Sequence, residues 1–535
     1  MNYVGSKACA PCHKDIYDQF VKTEMGRSMS LPDVPSQLEK VPKPVTAYDK
    51  QIGRYFEVAR QGSDLYQSEY ALDSAGEVLF RHTEKIAFVV GTGANGFSYL
   101  VQRGDYLFQA PLSFYSRTRS WDLSPAHEMG FDRPIVTGCI VCHSGQPQPV
   151  ANRNGLYQQP PFKELAIGCE RCHGPGQLHV EARTKGTPPS AGADLSIVNP
   201  ARLPSWLADN VCMQCHEQGD ARVLQSGKDF LDFRPGTPLN ETVAIFKVPL
   251  RRGSGAESPL LNHYYLMTLA KCYRASRGGL ACITCHDPHQ QPSARESPGY
   301  YRQKCFQCHT NGSCSLPLST RLSGSPPNDC VGCHMPKVSL HTISHSALTD
   351  HRIVITPDEP YPDAAFEREG SAELVHLNPE PGKEPQVPAL TMLLAYAQVQ
   401  EIDSAYRQRY LELLSQVAVT EKDSIEVLEL LARRGPEDQA RPVSAEAIRD
   451  LARAIQLGST WPPDYDLLGL LLVRANRFTE AISVLERGIA LDPYTSSSYT
   501  TLAACYRSIG KRNEAAQTLR EGRSSFRMTS KCTAC

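Results

Sequence analysis

No run of apolar residues in this chain approaches the ~18–20 needed to cross a bilayer as a helix, so no membrane-spanning helix is expected and a soluble protein is. Charge of one sign is not in excess either. The 56 Lys and Arg stand against 57 Asp and Glu, which argues against a broad electrostatic grip on nucleic acid or anionic lipid. No Ser-His-Asp set, phosphate loop or pair of carboxylates stands out. The one suggestive glycine cluster, Gly91, Gly93 and Gly96, runs into a strand-like segment where a dinucleotide site needs a helix, and no acidic residue in a βαβ context supports it. At 535 residues the chain is expected to hold two or more domains, since single cores rarely grow past about 250–300 residues. What is abundant is cysteine, with 19 in all.

Fourteen of those cysteines fall in seven copies of C-x-x-C-H. The pairs are Cys9/Cys12, Cys139/Cys142, Cys169/Cys172, Cys212/Cys215, Cys282/Cys285, Cys305/Cys308 and Cys330/Cys333. They are followed in turn by His13, His143, His173, His216, His286, His309 and His334. Chance supplies roughly 0.02 such motifs in a chain of this composition. Zinc sites group cysteine pairs by fours and do not require a His after each, and a disulfide framework has no use for that His. The spacing instead suits one haem per motif: two thiols form thioethers to its vinyl groups, and the adjacent His reaches the iron. Seven covalent c-type haems are therefore expected. Such attachment is completed outside the cytoplasm, so an exported protein is expected, periplasmic or at the cell surface. No basic and apolar leader precedes Cys9, and the numbering is read as starting at or near the mature N-terminus.

Nine His lie outside the motifs, enough for mostly bis-His ligation. His289, three residues after His286, is too close to reach the far face of its own haem and suits a neighbouring one. His179 follows His173 after a Gly-Pro-Gly turn, and His345 and His351 follow the last motif; all three are distal candidates. So are His263, in an apolar and aromatic run, and His82, ahead of a strand-like segment. His127, His341 and His376 are weaker candidates. The first motif is followed by Thr23-Glu-Met25-Gly-Arg-Ser-Met29, where Met25 is a candidate thioether ligand that would raise the potential relative to bis-His; an open iron is the alternative.

Residues 1–387 are read as a heptahaem domain, with a small β-rich insert at about 45–120 and a Pro- and acid-rich linker at about 354–387. Residues 388–530 are Leu/Ala-rich and helical. Within them Leu468, Gly469, Leu472, Ala481, Leu485 and Gly488 recur 34 residues later as Leu502, Ala503, Tyr506, Ala515, Leu519 and Gly522. Ala447, Leu451 and Ala454 preserve an earlier copy. This is the tetratricopeptide pattern, in which small residues sit where two helices cross. The fold class expected is mainly α with large irregular content. Of the remaining cysteines, Cys505 reads as a buried thiol; Cys272 and Cys314 are a possible disulfide, and Cys532 and Cys535 in the tail 531–535 read as a terminal disulfide in preference to a haem-motif remnant.

The opening Tyr3-Val-Gly-Ser-Lys-Ala-Cys9, Cys169-Glu-Arg-Cys-His-Gly-Pro-Gly with His179, Cys282-Ile-Thr-Cys-His-Asp-Pro-His and Cys330-Val-Gly-Cys-His-Met-Pro-Lys resemble exported multihaem cytochromes c. These are often fused to tetratricopeptide repeats, in the wider lineage of the tetrahaem cytochromes of ammonia oxidation. In that group a His commonly stands where this chain has Met25, which favours Met25 as a replacement ligand or an open iron. Electron transfer through seven haems is the expected function, with redox proteins or further copies of the chain, as in a head-to-tail extracellular filament, as partners. The competing expectation is an enzyme acting on a small nitrogen or sulfur oxyanion at one open haem.

Overall fold

The computed structural model describes residues 2–187, 194–252, 262–339, 347–356, 358–367, 372–383, 386–434 and 444–525. Nine strands between residues 29 and 123 build one antiparallel sheet. They are β1 (Met29–Ser30), β2 (Val45–Asp49), β3 (Arg54–Gln61), β4 (Asp64–Leu72) and β5 (Val78–Val90), then β6 (Gly96–Arg103), β7 (Tyr106–Gln109), β8 (Leu112–Tyr115) and β9 (Ser120–Leu123). The order is β2-β3-β4-β5-β6-β8-β9, with β1 added to β5 and β7 to β6. The sheet curls until β2 and β9 approach each other, giving a barrel-like body. Alternation explains its interior: Phe56 and Val58 on β3, Ile86 on β5, Tyr99 and Val101 on β6 point into one core with Phe108 and Leu112. The Gly91, Gly93 and Gly96 cluster is the β5–β6 turn. Gly91 and Gly93 have φ of 105° and 88° there, a region that costs glycine nothing.

This sheet overturns the mainly α expectation. Only 42% of the structure is helical, and the β region is no small insert, since it begins at Met29 and ends at Leu123. Further strands follow: β10 (Gln146–Pro149) pairs with β11 (Tyr157–Glu164), and β12 (Ala221–Leu224) with β13 (Val243–Lys247). Two residues of the expected linker, Val375 and His376, join β13 as a third strand. Asn378 fixes that strand by accepting from Ile245 N at 3.0 Å and donating to Val243 O at 2.8 Å.

From Ala389 on the chain is helical among the described residues, with helices Ala389–Ile402, Arg407–Thr420, Ile425–Arg433 and Ala445–Gln456, then Pro462–Arg474, Phe478–Leu491, Ser496–Ser508 and Arg512–Ser525. The small repeat residues sit at crossings. A Cβ on Gly469 would lie 2.5 Å from Leu485 Cδ2, and one on Gly488 would lie 2.9 Å from Tyr465 Cβ. Ala481 and Leu485 are buried between the helices. Cys505 is buried in the same core. Apolar packing is continuous across residue 388, because Leu393, Tyr396 and Val399 share a core with Val223 and Phe246 of β12 and β13. The helical array also returns to the first sheet, where Tyr494 Oη donates to Arg103 O at 3.3 Å and Arg153 donates to Leu491 O at 3.1 Å.

Candidate functional site

Each C-x-x-C-H motif is wound into about one helical turn. His13 N, His173 N, His286 N and His309 N donate to the carbonyl of the first cysteine of their motif at 2.9–3.1 Å. Positions i, i+3 and i+4 of such a turn share a face. Both thiols and the imidazole of a motif therefore address one side of the turn.

The structure then brings motif histidines opposite distant ones. His13 and His179 lie with ring centroids 6.2 Å apart and 21° from parallel. His173 and His289 are 5.9 Å apart at 18°, and His216 and His263 are 5.9 Å apart at 17°. His286 and His351 are 6.3 Å apart at 32°. Two imidazoles bound to opposite faces of one metal ion, with metal–nitrogen bonds of about 2 Å, place their centroids roughly 6 Å apart. Where two of these pairs meet, His263 and His351 come within 4.2 Å, the spacing of direct ring contact.

Hydrogen bonds fix which nitrogen is left over. The Nδ1 of His173, His351 and His334 lies 2.8, 2.9 and 2.7 Å from the carbonyls of Val198, Thr349 and Val354. His179 Nδ1 lies 2.8 Å from Asp194 Oδ2, and Tyr301 Oη is 3.3 Å from His286 Nδ1. A donor Nδ1–H leaves Nε2 with its lone pair, the arrangement a metal-bound His requires. Burial holds the rings neutral. It pushes His286 down to about 4 and His263 to about 2, and lowers His143, His173, His216 and His351 as well.

The thiols report which motifs adjoin. The thiol of Cys9 adjoins that of Cys169, Cys142 adjoins Cys215, and Cys212 adjoins Cys282. Cys172 feels Cys212, Cys285 feels Cys308, and Cys305 feels Cys330 electrostatically. The motifs thus follow one another in space as first, third, fourth, fifth, sixth and seventh, with the second beside the fourth.

The fourteen motif cysteines are not alike, as Cys12 and Cys333 show. Both are exposed, as are Cys139 and Cys308, whereas the other ten motif thiols are partly covered. Cys12 belongs to the first and Cys333 to the last, so each has a neighbouring motif on one side only. In both motifs it is the first cysteine, Cys9 or Cys330, that turns toward that neighbour. Their backbones still complete the turn, with Cys12 N donating to Cys9 O at 3.2 Å and Cys333 N to Asp329 O at 3.4 Å. Exposure leaves either sulfur accessible for a thioether but gives it no packing of its own.

Four sequence candidates, His179, His263, His289 and His351, stand opposite motif histidines. His289 faces His173 and not its own neighbour His286. Two candidates stand elsewhere. Met25 lies on the short turn Met25–Arg27, and it is His179 whose ring stands across from His13. His82 is buried on β5 with Nε2 2.8 Å from Glu84 Oε1, in a network that Arg103 completes at 2.7 Å. His127 is likewise engaged, between Ser124 O and the carboxylate of Asp49, and His376 stacks on Phe246. His341, His345, Cys532 and Cys535 lie outside the described residues. Cys272 and Cys314 are unbridged thiols. Cys272 lies among the thiols of the fifth and sixth motifs and Cys314 near Cys330. Among the described residues no imidazole stands opposite His143, His309 or His334. The Nδ1 partners Asp194, Val198 and Tyr301 escaped the sequence reading, since nothing in their spacing ties them to a motif.

No family model matches the chain, and no curated protein does. Among solved structures 79 chains match. One described as "MamA MSR-1 C2" is 19% identical, covers 26% of this chain and 77% of its own, and superposes with a TM-score of 0.23. Another, "Crystal structure of MamA protein", is 22% identical over 26% of this chain and 82% of its own, with a TM-score of 0.21. Similarity this weak carries no argument about fold or activity. Among the described residues no three His, Cys, Asp or Glu side chains gather as a bare metal site. A haem iron takes only two axial ligands from protein, so the facing imidazole pairs are the geometry that bears on it. Their spacing, tautomers and adjoining thiol pairs fit haem.

Proposed function

We propose that the chain is an exported electron-transfer protein carrying seven covalent c-type haems. The observation behind this reading is the set of four imidazole pairs, each joining the His of a C-x-x-C-H motif to a distant His at 5.9–6.3 Å. When bound, haem supplies one-electron iron chemistry, and the protein contributes attachment, axial ligands and burial that set the potential. The motif cysteines are the attachment points, and His13, His143, His173, His216, His286, His309 and His334 the proximal ligands. His179, His289, His263 and His351 hold the opposite faces at the first, third, fourth and fifth motifs. Adjoining thiols keep successive motifs within short reach, as an electron relay requires. Electrons would pass at its ends to redox proteins or to further copies of the chain, including copies joined head to tail in an extracellular filament.

The test is mass spectrometry and low-temperature EPR on the native protein. The expected result is seven haem adducts, with at least four irons low-spin. Fewer than seven adducts, or high-spin iron at the paired sites, overturns the reading. High-spin iron confined to the second, sixth or seventh motif would favour an enzyme with an open face instead.

A further inference from the structure

A cleft of about 1440 Å³ opens between the N-terminal residues, the β10–β11 hairpin, residues 227–234 and the helical array at Thr460–Pro462. No motif cysteine or histidine lines it, so it is distinct from the sites above. Its walls carry Arg153, Lys163, Arg171, Lys228 and Arg234 against only Asp229 and Asp232. Among the described residues none of the five cations forms an ion pair with a carboxylate. The two aspartates are spent on their own turn: Asp229 accepts from Leu231 N at 2.9 Å and Asp232 from Asp229 N at 2.8 Å. Glu170, beside Arg171 in sequence, is saturated by Val4 N, Gly5 N, Gly176 N and Gln146 Nε2.

Tyr3, Arg171 and Arg234 all line the cleft. Arg234 Nη1 donates to Tyr3 Oη at 3.0 Å, and Arg171 acts on the same phenol electrostatically. Arg171 Nε is buried with no hydrogen-bond partner among the described residues, a costly state for a guanidinium. Arg234 Nη1 also donates to Leu231 O and Phe233 O, and Arg171 Nη2 to Val141 O, which leaves Arg171 Nε and the remaining Arg234 nitrogens to meet carboxylate groups; the volume is larger than a simple oxyanion needs.

We propose that this cleft binds an organic polycarboxylate through Arg171, Arg234 and Tyr3, and that the bound anion is sensed at the second, third and fourth motifs. Arg171 lies between Cys169 and Cys172, its Nη2 donates to Val141 O inside the second motif at 3.1 Å, and its carbonyl accepts from Gln214 Nε2 inside the fourth at 3.1 Å, so its charge lies beside all three. An anion on it cancels that field. Binding does not depend on the haem reading; the sensing does.

Isothermal titration of the full-length native protein with citrate, at constant ionic strength set by chloride, tests the binding. Saturable one-site binding is expected, weakened about tenfold in Arg234→Gln and less in Tyr3→Phe, both chosen because Arg234 is exposed and Tyr3 only partly buried. No saturable heat, binding unaltered by Arg234→Gln, or equal affinity for sulfate overturns the site. Redox titration with and without citrate tests the sensing: three potentials should fall, because an added negative charge favours the oxidised iron. Citrate bound with potentials unmoved overturns the sensing alone, while absence of any haem signal would count against the proposed function and leave the calorimetry intact.

Discussion

His179 stands across from His13 with the two rings 6.2 Å apart and 21° from parallel, although one belongs to the first motif and the other follows the third. The pairing ties the N-terminal turn to the helix Gln177–Thr184, and Asn2 N reinforces it by donating to Gln177 Oε1 at 3.1 Å.

Removing His179 should expose one iron. In His179→Ala, one haem of seven is expected to turn from low-spin to high-spin in EPR, with haem content unchanged. Met25→Ala should leave the spectrum as it was. If Met25→Ala instead produces the high-spin signal, the pairing of His13 with His179 is wrong.

His82 should behave as a structural residue. It shares one face of β5 with Glu84 and Ile86, and all three are buried. His82→Ala removes a buried hydrogen bond while Glu84 keeps Arg103, so a loss of about 1–3 kcal/mol in stability is expected. Thermal unfolding measures it. The EPR and visible spectra should not change.

His82 also shows why the sheet was hard to read in the sequence. Inward positions of β5 are taken by His82 and Glu84, whose polarity breaks the apolar alternation that marks a strand. Their mutual hydrogen bond, visible only in three dimensions, makes the burial tolerable. Short strands such as β1, two residues long, carry no periodic signal at all. The repeat helices were legible for the opposite reason. Gly469, Ala481 and Gly488 recur as the small residues Ala503, Ala515 and Gly522, and Gly469 and Gly488 sit where two helices cross closely. At the candidate site the C-x-x-C-H turns follow from local spacing, whereas the pairing of His13 with His179 or His173 with His289 is set by the tertiary fold. The exposure of Cys12 and Cys333 is of the same kind, because identical local motifs differ only in what the fold places around them.

Gly469→Ala pits two effects against each other. Alanine in a helix interior gains about 1 kcal/mol over glycine, but the new methyl would lie 2.5 Å from Leu485 Cδ2 and 2.7 Å from its Cγ. Leu485 is 1% exposed, so it has little room to turn aside. Overpacking of this kind costs about 1–3 kcal/mol. A net loss of stability is expected, seen as a lower Tm of the helical region by circular dichroism; a rise in Tm would show that the crossing is looser than the contact implies.

The helical array should loosen as pH rises from about 5 to 8. Glu429 is pushed up to about 8, first by burial and then by the Asp464 carboxylate beside it. Asp464 is fully buried and receives Arg433 Nη2 at 2.6 Å and Ser459 Oγ at 2.6 Å. An unfolded Glu titrates near 4.5, and between that value and 8 the folded state therefore binds more protons than the unfolded state. Stability falls with rising pH across that window and levels off above it. Glu429→Gln keeps the hydrogen-bonding shape without the titration. In that variant the unfolding midpoint of the helical region should lose most of its slope between pH 5 and 8, and at pH 8 it should exceed that of the parent. Equal slopes in the two proteins would mean that Glu429 is ionised in the folded state, with Arg433 shared between both carboxylates.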